Sequence, residues 1–243
     1  MPETRLPGGF VNAVVRAGDT VRRRPGPRAA FVHELLALFE RRGWPGAPRF
    51  RGFDERGREI LGFVPGHVAW EEHQPDGVTS DRSLARVAEL VREFHDLTAG
   101  TPLAGAEEVV CHNDLSPKNT VYRDEHGAGL RPVAIIDWDL AAPGRRIHDV
   151  AHVCWQYAGL GPGAADAPRR VRLICDAYGL ADRRGVVAAV LWWQDRCRRG
   201  IEAEAAAGAP HAVRLRAAGV VEQVRAAHDW VAAHRADLER ALR

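Results

Sequence analysis

The sequence predicts an α+β chain in which a small strand-rich portion precedes a mainly helical one. Three observations carry this reading. Residues 1–64 hold four strand-like runs around one helical run. A polar loop followed by a hairpin pattern occupies the middle of the chain. From His148 onward the apolar residues recur at helical spacing.

The elements follow in order. FVNAVVRA and DTVRRR lie on either side of Gly18-Asp19, a hairpin signal. PRAAFVHELLALFERRG places Phe31, Leu35, Leu38 and Phe39 at helical spacing and closes at Gly43. PRFRGFD and REILGFVPG are two further strand-like runs, joined by the turn DERG. PGHVAWEEHQPDGVTSD is rich in turn residues and reads as a connector. SDRSLARVAELVREFHDLTAG is a helix that Ser80 or Asp81 can cap, with Leu84, Val87, Leu90, Val91 and Phe94 on one face. RPVAIIDWD is a strand ending in acids. HDVAHVCWQYA, RRVRLICDAYG and RGVVAAVLWWQDRCRRG are helical runs, followed by a long amphipathic run near 212–241.

Composition narrows the partners. Thirty-four basic and 32 acidic residues nearly cancel, so no strong field points to nucleic acid or to an anionic membrane. No apolar run is long enough to span a bilayer, and MPETRLPGGF lacks the apolar core of a signal peptide, so a cytoplasmic protein is expected. Cys111, Cys154, Cys175 and Cys197 have no zinc-site or redox-pair spacing and read as buried small hydrophobes. Lys118 is the one lysine of the chain. An Ala-, Gly- and Arg-rich composition accounts for the replacement of the others, but not for where this one stands.

It stands in CHNDLSPKNTVYR, a polar stretch between apolar runs. A surface turn is the plain reading of it; an active-site loop is the sharper one. Asp114 follows an apolar run and a histidine, Asn119 lies five residues on, and Asp137 ends VAII eighteen residues later. Between them VYR, the turn DEHGAG and PVAII form a hairpin that brings Asn119 and Asp137 together at its base. A carboxylate beside an amide oxygen suits Mg²⁺, which keeps waters and substrate phosphates. A second carboxylate on the loop, Asp114, is placed to orient a hydroxyl nucleophile. Phosphoryl transfer needs these parts.

His112-Asn113-Asp114-Leu115-Ser116-Pro117-Lys118-Asn119 resembles the catalytic loop of the aminoglycoside phosphotransferase family, small-molecule kinases of the protein-kinase-like superfamily. Ile135-Ile136-Asp137-Trp138-Asp139 is similar to that family's metal-binding strand end, and His148-Asp149-Val150-Ala151 to its Asp-Leu-Ala segment. Leu6 to Asn12 resembles its nucleotide loop, and Ile60 to Gly66 its hinge. The resemblance implies a two-lobed protein-kinase-like fold, with a small antiparallel-sheet nucleotide lobe over 1–64 and a mainly helical catalytic and substrate lobe over 65–243.

It also implies roles. Asp114 is the catalytic base or hydroxyl-orienting group, and Asn119 and Asp137 hold Mg²⁺ against the phosphates of ATP or GTP. His112 and Asp149 brace the loop. Asp139 faces a second metal or the substrate, or is a solvated acid. Lys118 reaches the transferring phosphate or faces solvent. Gly9 lets the backbone approach phosphate, and Phe63 and Val64 offer hinge groups to the base. The family's third-strand lysine has no counterpart: Arg23 is the match, with Arg22 the competitor on the other face. Glu34, beside His33, is the expected helix partner of that cation. Trp193, Asp195 and Glu202, with Trp192 and Glu204, are candidate acceptor contacts, or else core and wet helix face. The function implied is γ-phosphoryl transfer from ATP or GTP to a small-molecule hydroxyl, aminoglycoside-like or related. The alternatives are a catalytically weak nucleotide-binding or immunity-type protein on the same fold, and a metal-dependent hydrolase built on His112, Asp114 and Asp137.

Overall fold

A computed structural model describes residues 3–6, 14–71, 73–124, 127 and 129–243. Five antiparallel strands form the first sheet: β1 (Thr4–Arg5), β2 (Val15–Ala17), β3 (Thr20–Arg23), β4 (Phe50–Phe53) and β5 (Glu59–Gly62), in the order β1-β2-β3-β5-β4. Gly18, at φ 63°, makes the β2–β3 turn that needs a left-handed residue. Helix α1 (Ala29–Arg41) leaves this sheet after β3 and buries Val32, Leu35, Leu36, Leu38 and Phe39.

The connector holds structure that its turn-rich composition hid. Strand β6 (His67–Val68) and a short helix α2 (Asp76–Thr79) lie within it. β6 pairs with the first strand of the central hairpin, β8 (Thr120–Asp124). That pairing needs Gly66: at φ 154° a side chain there would come within 2.5 Å of the Tyr122 carbonyl oxygen.

Helix α3 (Asp81–Thr98) starts at Ser80, whose hydroxyl accepts from the Ser83 amide. The hairpin of β8 and β9 (Leu130–Ile135) packs on it. Two short strands, β7 (Val109–Cys111) and β10 (Ala142–Gly144), pair beneath the loop between them. The helical remainder comprises α4 (Arg146–Tyr157), α5 (Ala167–Tyr178), α6 (Val186–Ala206), α7 (Pro210–Ala217), α8 (Val220–Ala233) and α9 (Arg235–Ala241). The long amphipathic run near 212–241 is therefore three helices, broken at Gly219 (φ 74°) and again at His234. No helix among the described residues is long and apolar enough to cross a membrane. Cys111, Cys154 and Cys175 are buried and Cys197 is half-buried; all four are free thiols.

One apolar core runs from α1 through α3 into α4, α5 and α6. Its centre is aromatic. Trp138 lies 5.1 Å from both Phe39 and Phe94, ring centre to ring centre, and 4.7 Å from His112. Burying each such side chain contributes about 1.5–3 kcal/mol. Trp138 sits between Asp137 and Asp139, so this packing fixes the acid-bearing turn to a helix of the first sheet's layer.

Candidate active site

Strand β7 delivers the chain to the loop, and Asn113 turns it at φ 64°, a conformation asparagine tolerates better than most residues. The loop then closes through the 3₁₀ turn Pro117–Asn119, where the Asn119 amide donates to Ser116 O at 2.9 Å. The hairpin returns the chain beside it. Thr120 pairs with Ile135, and the Ile136 amide donates to Asn119 O at 2.8 Å. Asp137 follows in the left-handed region at φ 64°, with its side chain half exposed. Asp137, Asn119 and Arg23 line one cavity of about 520 Å³ between the first sheet and the central hairpin.

Asn119 donates its amide hydrogens to the Asp114 carbonyl and to Asp114 Oδ2, both at 2.8 Å. This leaves Asp114 Oδ1 and Asn119 Oδ1 without a protein partner among the described residues. Burial, seconded by the charge of Asp137, pushes the Asp114 carboxyl up to about 6, against the lowering effect of the Asn119 bond. The sign follows for any reaction that needs this group as a base. The working carboxylate is present above about pH 6 and lost below it. The acid limb of kcat/KM is therefore expected near 6, not near the ordinary aspartate value of about 3.9. Asn119→Ala should move that limb upward. A pH–rate profile checks both, and a limb at the ordinary value contradicts the assignment.

A buried polar frame holds the loop from below. Asp149, in the first turn of α4, accepts from the amides of His112 (2.7 Å) and Asn113 (3.0 Å) and from His95 Nε2 (3.2 Å). Burial opposes its charge, but those bonds, with the one from His95 foremost, hold its carboxyl below the ordinary value. His95 Nδ1 accepts from the Tyr178 hydroxyl, and Arg146 donates to that same oxygen. The Leu115 amide donates to His152 Nδ1 at 3.0 Å. His95, His112 and His152 are all held neutral by burial, His152 down to about 4. His112 uses both ring nitrogens, accepting from the Asp114 amide and donating to Ile136 O. It has no lone pair left for a metal, which removes the hydrolase reading. His95, His152 and Tyr178 were not singled out in the sequence. A helical His or Tyr on an apolar face carries no signal of its partner.

The cation of the third strand has a different acidic partner from the one expected. Arg23 points inward and is 8% exposed, while Arg22 faces Asp54 on the other side. Arg23 Nε donates to Glu59 at 2.5 Å, Nη1 donates to Asp137 (2.9 Å) and Asp139 (3.0 Å), and Nη2 donates to the other Asp139 oxygen. Glu34 does not take part and is exposed. The physical reason is register: Arg23 and Glu59 are direct cross-strand partners of β3 and β5, with Cβ atoms on the same face. The helix instead sends His33, whose Nε2 bonds the second Glu59 oxygen at 2.7 Å. An acid inside the REILG run was the signal for Glu59.

The cavity walls include Val21, Leu61, Phe63, Val64, Val121 and Ile136. The Phe63 amide donates to Asp19 O at 2.8 Å, so of its backbone groups only the carbonyl is left to offer a ligand. The Val64 amide is engaged by no described backbone group. Gly9 lies outside the described residues. The oxygens at the cavity's inner end fit a hard cation: Asp137 keeps one oxygen away from Arg23, and Asn119 Oδ1 is unspent.

On α6, Trp193 is core. It is 7% exposed and its indole N–H donates to His148 O. Asp195 pairs with Arg198 and Arg199, and Glu202 with Arg198 and Arg225. Packing and i,i+4 pairing thus account for these three residues. Trp192 is the exposed aromatic, 46% accessible and stacked on His148. Lys118 is exposed on the 3₁₀ turn.

The lobes, the cleft between them and the hairpin-borne acids define a kinase-like fold. The fold is similar to that of a choline/ethanolamine kinase family protein from Mesorhizobium loti (TM-score 0.61, 19% identity, covering 100% of this chain and 91% of that one). It is also similar to aminoglycoside 2'-phosphotransferase-IIIa in its GDP complex (TM-score 0.59, 15% identity, 100% and 92%). Residues 101–188 match the phosphotransferase enzyme family. Over an alignment of 271 positions the chain is 33% identical to the trifolitoxin immunity protein of Rhizobium leguminosarum bv. trifolii, covering 99% of this chain and 98% of the relative. The chain belongs to the family of the trifolitoxin immunity protein, and its residues 101–188 carry the match to the phosphotransferase enzyme family.

Proposed function

We propose that this protein transfers the γ-phosphoryl group of ATP or GTP to a hydroxyl of a small molecule, aminoglycoside-like or related. One observation carries the reading: Asn119 joins the two ends of the chemistry. It lines the interlobe cavity with Asp137, and it clamps Asp114 Oδ2 while leaving Oδ1 free. Residues 1–64 and the Val64 amide hold the nucleotide; residues 65–243 carry catalysis and the acceptor. Mg²⁺, held through Asp137 and Asn119, supplies charge neutralisation at the phosphates when bound. Asp114 Oδ1 receives the hydroxyl proton and aims the oxygen lone pair at phosphorus. The buried frame of Asp149, His95 and His152 keeps that carboxylate in place. The reaction runs in the cytoplasm, where both nucleotides are abundant.

A second reading, an immunity-type protein with weak or no transfer, is favoured by two facts. The relative matched along its whole length carries that name, and Arg23 is tied to three acids where a phosphate contact is needed. Label transfer separates the two readings. With γ-labelled ATP or GTP and a panel of aminoglycosides, amino alcohols and sugars, label is expected in one acceptor class. Nucleotide binding with no labelled product from any class would favour the immunity reading.

A further inference from the structure

We propose that Arg23 occupies the place of a second cation, so that the site takes one divalent ion per nucleotide. The inference rests on the phosphotransferase reading and goes beyond it. Phosphotransfer sites of kinase type can hold two ions, gripped by the strand-end aspartate and the loop asparagine. Here the second acid, Asp139, has both oxygens engaged by one guanidinium, and the first, Asp137, has one. Arg23 Nη1 lies 2.9 Å from an Asp137 oxygen and 3.0 Å from an Asp139 oxygen. A cation bridging those two oxygens would have to displace that nitrogen.

The guanidinium is built in. It is 8% exposed, Glu59 holds its Nε, and His33, stacked on Phe50 with ring centres 3.6 Å apart, holds Glu59. A guanidinium stays charged at any pH the fold survives, and its planar fork matches a carboxylate at two points. A lysine ammonium is a single point charge and cannot hold Asp139 by both oxygens while also meeting Glu59. The oxygens left for a metal are the free Asp137 oxygen and Asn119 Oδ1, enough for one ion completed by water and phosphate. The arginine in the third-strand position is thus a fixed positive charge in the phosphate site.

Mn²⁺ binding, read by electron paramagnetic resonance of the free ion, tests this. With saturating non-hydrolysable nucleotide, the parent is expected to bind one Mn²⁺ and Arg23→Gln two. Without nucleotide, Arg23→Gln should bind Mn²⁺ at least about tenfold more tightly than the parent, because three acids lose their resident cation. Asp139→Asn in the Arg23→Gln background should remove the gain. Arg23→Lys, which keeps a charge, should stay close to the parent without nucleotide. Two ions in the parent complex overturn the proposal, and that count needs no variant to fold. Equal nucleotide-free affinity in folded parent and Arg23→Gln also overturns it. If the parent binds no nucleotide, the phosphotransferase reading falls, while the nucleotide-free comparison still decides the role of Arg23.

Discussion

Asp114→Asn is expected to lower the rate of phosphoryl transfer by about 10²–10⁴-fold or more, with nucleotide affinity within about twofold of the parent. The substitution keeps the shape and an oxygen for the Asn119 bond, so the loop should survive it. What it removes is the carboxylate proposed to receive the hydroxyl proton. Asp114 does not line the interlobe cavity, so the nucleotide has little to lose. Product formation and nucleotide titration on the same preparation check the two halves. Unchanged turnover takes Asp114 out of the mechanism. A matched loss of nucleotide affinity means that the change acts through the cavity instead.

Asp149→Ala is expected to destabilise the protein by about 3–5 kcal/mol, because it leaves two buried donors, the His112 amide and His95 Nε2, and the part-buried Asn113 amide without their acceptor. For a chain of this length that corresponds to a fall in Tm on the order of 10 °C. The pH dependence has a definite sign. The folded carboxyl lies below its unfolded value, so its contribution is complete above the unfolded value of about 3.9 and is lost only as pH falls through the lower folded value. The gap between parent and variant should therefore persist at neutral and mildly acidic pH and close only in stronger acid. Urea titrations at several pH values measure it. A loss below about 1 kcal/mol would mean that the amides of His112 and Asn113 are held by something else.

Much of the fold was legible because long periodic runs leave few alternatives. Helix α3 shows both its cap, Ser80, and its buried face in the sequence. The short strands were not legible. β1, β6 and β10 have two or three residues each, and pairing across the fold, not local propensity, makes them strands. The break at Gly219 was hidden because a single glycine inside a run of helix-forming residues is no sure stop signal. In the site, the spacing from Asp114 to Asn119 to Asp137 foretold which residues the hairpin would bring together. It did not foretell Glu59, since strand register decides that partner and register is a long-range property. Nor did it foretell the frame of His95, His152 and Tyr178, which lie on three different helices and meet only when those helices pack. Trp193 misled for the opposite reason. Adjacent tryptophans on a helix point to different faces, and burial chose the one that packs under His148.

Asp137 and Asn119 are proposed to form a metal–nucleotide site in the interlobe cavity. Thermal unfolding with and without Mg·ATP and Mg·GTP, for the parent and Asp137→Ala, tests it most directly. A ligand at about 100 times its dissociation constant adds about 2.7 kcal/mol to the folded state, so a rise in Tm on the order of 5–10 °C is expected with at least one nucleotide in the parent. Asp137→Ala should lose most of that rise. No rise with either nucleotide, or an equal rise in the variant, would mean that no such site forms at Asp137.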